Sequence, residues 1–81
     1  MRLDSWLKKN DGSAENLIAE IFYAGIKTKK NYVKAFYYSK LAAEKGIKDA
    51  QLRLYFLYEN GKGALVNKEL AAFWLNKYRE K

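Results

Sequence analysis

The sequence has no cysteine, no histidine and no proline among its 81 residues. Without cysteine and histidine, it lacks the commonest metal ligands, general bases and thiol nucleophiles. The carboxylates are scattered along the chain with no paired arrangement, as at Glu15, Glu20 and Glu44. The composition therefore predicts no enzyme activity, no metal site and no cofactor, and the absence of thiols fits a reducing compartment.

Long apolar runs are also missing. The longest, at residues 70–75, is far shorter than the roughly 20 residues that a helix needs to cross a bilayer. The first residues carry charges at Arg2, Asp4, Lys8 and Lys9, where a secretion signal would have a continuous apolar stretch. No single helix shows the broad basic face, opposite bulky apolar residues, that is typical of membrane-surface helices. We therefore expect a cytoplasmic protein with no membrane insertion.

The residues that are present suit one small folded domain. Hydrophobic residues make up 49% and charged residues 31% of the chain, a balance typical of a packed core and not of disorder. Seven tyrosines, four phenylalanines and two tryptophans supply large rings for packing in a chain that has no disulfide. Sixteen basic residues against nine acidic ones give a net charge of +7, which favours partners with an acidic surface.

The chain contains an internal repeat. Shifting the sequence by 36 positions places similar residues opposite each other without a gap. The pairs are Ala14 with Ala50, Ile18 with Leu54, Ile21 with Leu57, Phe22 with Tyr58, Gly25 with Gly61, Asn31 with Asn67, Ala35 with Ala71, and Tyr38 with Trp74. Self-similarity at such a period indicates a repeat architecture.

Each copy of the repeat predicts a helical hairpin. The first helix shows apolar residues at i, i+4, i+7 and i+8, and glycine follows at Gly25 and Gly61, where a helix stop is expected. Asn31 and Asn67 are predicted to cap the second helix. The predicted buried positions of the second helices are Ala35, Tyr38, Leu41 and Ala42, closed by Gly46, and then Ala71, Trp74 and Tyr78. A short stripe of Leu3, Trp6 and Leu7 before the first copy predicts a capping helix.

These residues resemble the Sel1-like repeat, a relative of the tetratricopeptide repeat. The matching positions are Ala35, Tyr38, the run at residues 41–46, Ala50, Leu54, Tyr58, Gly61, Gly63, Asn67, Ala71 and Trp74. The resemblance implies an all-α fold of two stacked Sel1-like α-hairpins, a short α-solenoid, with an N-terminal half-hairpin helix. We expect one domain over residues 1–81, with a capping helix at 1–12, a first repeat at 14–49, and a second repeat with a terminal cap at 50–81.

The sequence also departs from the pattern of the Sel1-like repeat. The first copy has Phe22 where tyrosine is usual and Lys27 in place of the second glycine. The second copy has Tyr55 where glycine often packs, and Tyr78 in place of alanine. The changes in the second copy are those expected of a terminal cap.

The resemblance implies an adaptor or scaffold that binds a partner protein through its concave face. Stacked hairpins curve into a groove lined by the first helix of each hairpin. The positions left over after the core is assigned are the predicted partner-binding residues, namely Asn16, Glu20, Tyr23, Leu52, Phe56 and Glu59. The competing interpretation is that these residues cover the core or contact a neighbouring helix.

Three other interpretations stay open at this point. A small basic repeat protein could be an immunity protein or inhibitor that occupies a cognate toxin or enzyme. The basic turn of the first repeat could bind nucleic acid, although a solubilising lysine surface is the favoured explanation of these residues. The lysines of that turn are Lys27, Lys29, Lys30 and Lys34. A stack of only two hairpins could also form a homodimer to cover its open ends.

Overall fold

A computed structural model of the protein describes residues 11–80, which fold into four α-helices. The helices are α1 (Ser13–Ala24), α2 (Tyr32–Glu44), α3 (Lys48–Asn60) and α4 (Lys68–Arg79). No strand occurs in this part of the chain, and none of these helices is long and apolar enough to span a membrane. The predicted all-α fold is confirmed. The predicted N-terminal capping helix at residues 1–12 lies outside the described residues, which begin at Asp11.

The helices form two antiparallel hairpins that stack on each other. Helix α1 packs on α2, and α3 packs on α4, while α2 packs on α3 and so joins the hairpins. The first helices of the hairpins, α1 and α3, also contact each other, whereas the second helices, α2 and α4, do not. Because the first helices approach more closely than the second, the stack curves towards α1 and α3. We call this inner side the groove.

Asparagine starts the second helix of each hairpin, as predicted. Asn31 Oδ1 accepts a hydrogen bond from the Lys34 backbone N–H at 3.0 Å. In the second hairpin, Asn67 Oδ1 accepts from the Leu70 N–H at 2.9 Å. Each side chain satisfies one of the amides that have no partner in the first turn of a helix. Residues 36 positions apart in the sequence therefore make equivalent capping hydrogen bonds in the two hairpins.

Glycine ends the first helix of each hairpin, also as predicted. Gly25 and Gly61 adopt left-handed backbone conformations with φ of 74° and 64°. Their N–H groups donate to the carbonyl oxygens of Ile21 and Leu57 respectively. A left-handed residue turns the chain out of the helix, and glycine adopts that conformation at little steric cost.

The hydrophobic core lies mainly along α3, where this helix packs between α2 and α4. Its buried residues are Ala42, Ala43, Ala50, Leu54, Leu57, Tyr58, Ala71 and Trp74. Alanines allow the backbones of α2 and α3 to approach closely, and aromatic rings fill the space around them. Phe36 of α2 packs edge-to-face on Tyr58 of α3, with ring centroids 5.3 Å apart.

The sequence-based core assignment was wrong at Tyr78 and incomplete elsewhere. Tyr78 is 37% exposed, whereas Ala42, its equivalent in the first hairpin, is fully buried. The second hairpin covers Ala42, but no described helix follows α4 to cover Tyr78. Conversely, Ser39 and Gln51 are buried although both are polar, because they lie where the two hairpins meet.

Two equivalent turn positions share a left-handed backbone although only one is glycine. Lys27 has φ of 58° and Gly63 has φ of 74°. A Cβ atom on Gly63 would overlap the carbonyl oxygen of Tyr32 and would lie 3.1 Å from Phe36 Cβ. Glycine is therefore required at position 63 by packing as well as by conformation. The same contact places the turn of the second hairpin against the start of α2.

This packing predicts that Gly63→Ala lowers the free energy of unfolding by more than about 2 kcal/mol, because conformational strain and steric overlap add. Gly46→Ala is the matched control. Gly46 also has a positive φ, of 93°, but a Cβ there would meet nothing within 4 Å, so only the strain of about 1 kcal/mol is expected. Urea denaturation followed by circular dichroism measures both values. Equal losses in the two variants would contradict the contact between Gly63 and Tyr32.

Lys27 carries the same conformational strain without the packing constraint. We predict that Lys27→Gly raises the free energy of unfolding by about 0.5–1 kcal/mol, because glycine removes the left-handed penalty. Lys29→Gly, in the same turn but without a positive φ, should leave stability unchanged or lower it. Thermal unfolding of the two variants tests this difference, and a destabilised Lys27→Gly protein would disprove it.

Candidate functional site

The groove contains a polar cluster centred on Arg53 of α3. Its Nη1 donates hydrogen bonds to Asn16 Oδ1 at 2.9 Å and to Ser39 Oγ at 3.4 Å. The guanidinium carbon lies 5.9 Å from the centroid of the Tyr23 ring, within the range of a cation–π contact. These partners lie on α1 and α2, so Arg53 links the second hairpin to both helices of the first.

Two acidic residues lie near enough to Arg53 to influence its pKa. Partial burial lowers the pKa of Arg53, while the negative charges of Glu20 and Asp49 oppose that shift. Because an arginine titrates far above neutral pH, the guanidinium stays protonated. The groove therefore presents a fixed cation with carboxylates beside it, and not an uncompensated positive charge.

Three of the predicted partner-binding residues gather around Arg53. Asn16 and Tyr23 are half-buried, and Glu20 is exposed at the edge of the cluster. Tyr23 also packs edge-to-face on Tyr32, with ring centroids 5.9 Å apart. The interpretation that these positions serve packing therefore applies in part to Asn16 and Tyr23, which have contacts within the fold.

The other three predicted residues lie along α3. Leu52 is half-buried and Phe56 is exposed, and their spacing of four residues puts them on one face of the helix. Glu59 instead faces α4, where its Oε2 pairs with Lys68 Nζ at 2.8 Å. The structure therefore brings Leu52 and Phe56 to one surface but ties Glu59 to the neighbouring helix.

Sequence reasoning missed Arg53, which connects more of this site than any predicted residue. The available signal in the sequence for a role of Arg53 was its position as a basic residue between the apolar residues Leu52 and Leu54. The 36-residue comparison also pairs Arg53 with Leu17, a change from an apolar to a charged residue. Without the fold, nothing in the sequence places Asn16 opposite Arg53, because 37 positions separate them.

The four predicted lysines lie at the turn end of the hairpins and not in the Arg53 cluster. Lys27, Lys29 and Lys30 are exposed in the turn between α1 and α2. Lys34 is exposed on α2, and its Nζ lies 5.0 Å from the centroid of the Phe22 ring. Lys62 of the second hairpin's turn joins them, with its Nζ 5.2 Å from the Tyr32 ring centroid.

A pocket of about 370 Å³ lies between the start of α3 and the C-terminal parts of α2 and α4. Its walls include Gly46, Lys48, Gln51 and Trp74. Gln51 Nε2 donates to the Ala43 carbonyl oxygen at 3.2 Å, while its Oε1 is buried with no hydrogen-bond partner among residues 11–80. None of the six predicted groove residues lines this pocket. Across the same described residues, no group of three or more acidic side chains is placed to hold a metal ion.

The two hairpins correspond to two matches of one protein family. The family model described as Sel1 repeat matches residues 12–47 and residues 48–77. The first match contains α1 and α2, and the second contains α3 and most of α4.

The chain belongs to the Sel1 repeat family.

Solved structures of other Sel1 repeat proteins support the same fold. A Sel1 repeat protein from Oxalobacter formigenes is 33% identical, with a TM-score of 0.80 over 83% of this chain. A protective antigen of uropathogenic Escherichia coli strains, which displays an SLR fold, is 28% identical with a TM-score of 0.80, also over 83% of this chain. This Sel1 chain spans only 19% and 14% of the lengths of those two chains. No curated protein sequence matches it.

The contacts of Arg53 predict that it stabilises the stack of the two Sel1 hairpins. Arg53→Ala removes the hydrogen bonds to Asn16 and Ser39 and should lower the free energy of unfolding by about 1–2 kcal/mol. Arg79→Ala, at an exposed position of α4, is the control and should change stability by no more than about 0.5 kcal/mol. Chemical denaturation gives both values. Equal effects would mean that the contacts of Arg53 add nothing to the stack.

Proposed function

We propose that this Sel1 repeat chain is a protein-interaction module that binds a partner protein in the groove of α1 and α3. Sel1 repeats generally mediate interactions between proteins and are typically scaffolds, not enzymes, which supports the class of function. The curvature of the stack towards α1 and α3 supports the choice of surface, because a concave face surrounds more of a ligand than a flat one.

Exposure of Phe56 is the observation that carries this proposal. The Phe56 side chain is 44% exposed on α3, one turn from the half-buried Leu52. An aromatic ring on a concave surface gains free energy when a partner excludes water from it, and such rings are frequent binding hot spots. Phe56 and Leu52 together form the apolar part of the proposed site.

The Arg53 cluster supplies the polar part of the proposed site. The hydrogen bond from Arg53 to Asn16 holds the guanidinium in place, so little side-chain entropy is lost when a partner binds. Glu20, exposed beside it, offers a carboxylate to a donor on the partner. The net charge of +7 increases the rate at which an acidic partner approaches.

An adaptor and an immunity protein or inhibitor would use the same groove. They differ in what occupies it: a component of an assembly in the first case, and a toxin or enzyme in the second. The identity and activity of the bound protein therefore separate these two functions.

We expect Phe56→Ala to weaken partner binding about thirty-fold, the loss of roughly 2 kcal/mol that is typical of a hot-spot residue. Phe73→Ala is the matched control, because Phe73 is 47% exposed but lies on α4, outside the groove. The partner is first captured from nuclease-treated lysate of the native cells with the wild-type protein. Its affinity for the three proteins is then measured by isothermal titration calorimetry.

The folding of each variant is measured alongside its affinity. If Phe56→Ala binds the partner more weakly while its unfolding midpoint equals that of Phe73→Ala, the result would support the groove as the binding site. Wild-type affinity in Phe56→Ala would rule out this site. A component that is captured from untreated lysate but lost from nuclease-treated lysate, with no protein captured in its place, would argue against a protein partner.

A further inference from the structure

The turns of the two hairpins form one surface at the same end of the molecule. We define the turn surface as residues 25–34 and 61–67. The two segments are adjacent because Gly63 packs against the Tyr32 carbonyl group and Lys62 Nζ lies 5.2 Å from the Tyr32 ring centroid. Segments that lie 36 positions apart in the sequence thus become neighbours.

The turn surface carries charge of one sign. Its two segments contain five lysines and no aspartate or glutamate. The nearest acidic residues in sequence, Glu59 and Glu69, lie in the flanking helices, and Glu59 pairs with Lys68. The positive charges on the turns therefore have no acidic partner within the turn segments. This distinguishes the turn surface from the groove, where Glu20 and Asp49 accompany Arg53.

Aliphatic side chains are exposed among these lysines. Leu65 is 90% exposed at the turn of the second hairpin. Three further aliphatic residues on the turn surface are exposed, namely Ile26, Val33 and Val66. Single exposed apolar residues are common on soluble proteins. Four of them in two adjoining lysine-bearing segments form a surface that would gain free energy by leaving water.

The backbone of Lys27 adds an independent observation. Lysine occupies a left-handed position, with φ of 58°, which the second hairpin fills with glycine. This conformation costs a non-glycine residue about 1 kcal/mol or more. Strain that a single substitution would relieve is often retained at functional sites. At this position the strained residue is a lysine, which keeps a positive charge on the turn.

We propose that the turn surface binds the surface of a bilayer that contains anionic lipid. Leu65 and its aliphatic neighbours would enter the headgroup region, where apolar side chains leave water. The lysines would lie against the lipid phosphates and carboxylates, and each contributes to attraction by a negatively charged membrane. The contact involves the two turns and none of the six predicted groove residues, so this inference does not depend on the proposed protein-binding site.

Lipid fits this surface better than nucleic acid does. The turn segments contain no arginine, and their one aromatic ring, Tyr32, is half-buried and next to Lys62. Single-stranded nucleic acids are commonly held by exposed aromatic rings on which bases stack. Exposed aliphatic side chains such as Leu65 gain little from a phosphate backbone but gain from contact with hydrocarbon.

Vesicle co-sedimentation tests the proposal directly. The probes are vesicles of phosphatidylcholine alone and vesicles in which about a third of the lipid is phosphatidylserine. We expect binding to the anionic vesicles only, and weaker binding as salt is added. Equal binding to both vesicle types, or binding to neither, would overturn the proposal.

Lys27→Gly separates binding from stability, because the two should change in opposite directions. Removing this lysine should weaken vesicle binding about five-fold, while the free energy of unfolding increases. The double variant Lys29→Gln with Lys30→Gln should weaken binding further. Its charge-matched control, Lys40→Gln with Arg79→Gln, removes two exposed cations outside the turn surface and should bind more tightly than the turn variant.

Leu65→Ser tests insertion of the apolar side chain. We expect roughly ten-fold weaker binding to anionic vesicles, the effect of withholding one leucine from an apolar environment. Leu17→Ser is the control, because Leu17 is 59% exposed on α1, away from the turns. Wild-type vesicle binding by Leu65→Ser would disprove insertion. Tighter binding to a short DNA duplex, unaffected by Leu65→Ser, would assign the surface to nucleic acid and overturn the lipid proposal.

Discussion

The close packing of α2 against α3 is the contact on which the rest of the structure depends. Ala42, Ala43 and Ala50 are buried where these helices meet, and their short side chains let the backbones approach. This contact holds the two hairpins together and sets the angle between them. It therefore decides that α1 comes beside α3 on the inner side of the stack, while α2 and α4 remain apart.

Both candidate surfaces arise from that one interface, but they differ in chemistry. In the groove, Arg53 is half-buried and hydrogen-bonded to Asn16 of the other hairpin, and an exposed Phe56 lies on the same helix. At the turns, five lysines and the exposed Leu65 lie in two adjoining segments that contain no carboxylate. The first surface suits the specific contacts of a folded partner, whereas the second suits a diffuse anionic surface.

Departures from the repeat pattern mark the places where the two hairpins have different surroundings. Gly63 must be glycine because the first hairpin lies against it, and Lys27 occupies the equivalent position at the cost of strain alone. In the same way, Ala42 is small because α3 covers it, while Tyr78 is large and partly exposed. The positions at which the two repeats differ therefore indicate which residues face a neighbouring hairpin.

The sequence by itself determined the helices, their order and the family. The helix caps act through hydrogen bonds to residues a few positions away, as at Asn31, Asn67, Gly25 and Gly61. Apolar periodicity is equally local. Helix ends and buried helix faces can therefore be predicted from the sequence alone. Only the tertiary structure decided which residues gather around Arg53, that Tyr78 is exposed, and that the two turns form one surface. Each depends on a distant segment. Burial, charge pairing and contact between residues 30 or more positions apart, as between Lys62 and Tyr32 or Arg53 and Asn16, exist only once the hairpins are stacked.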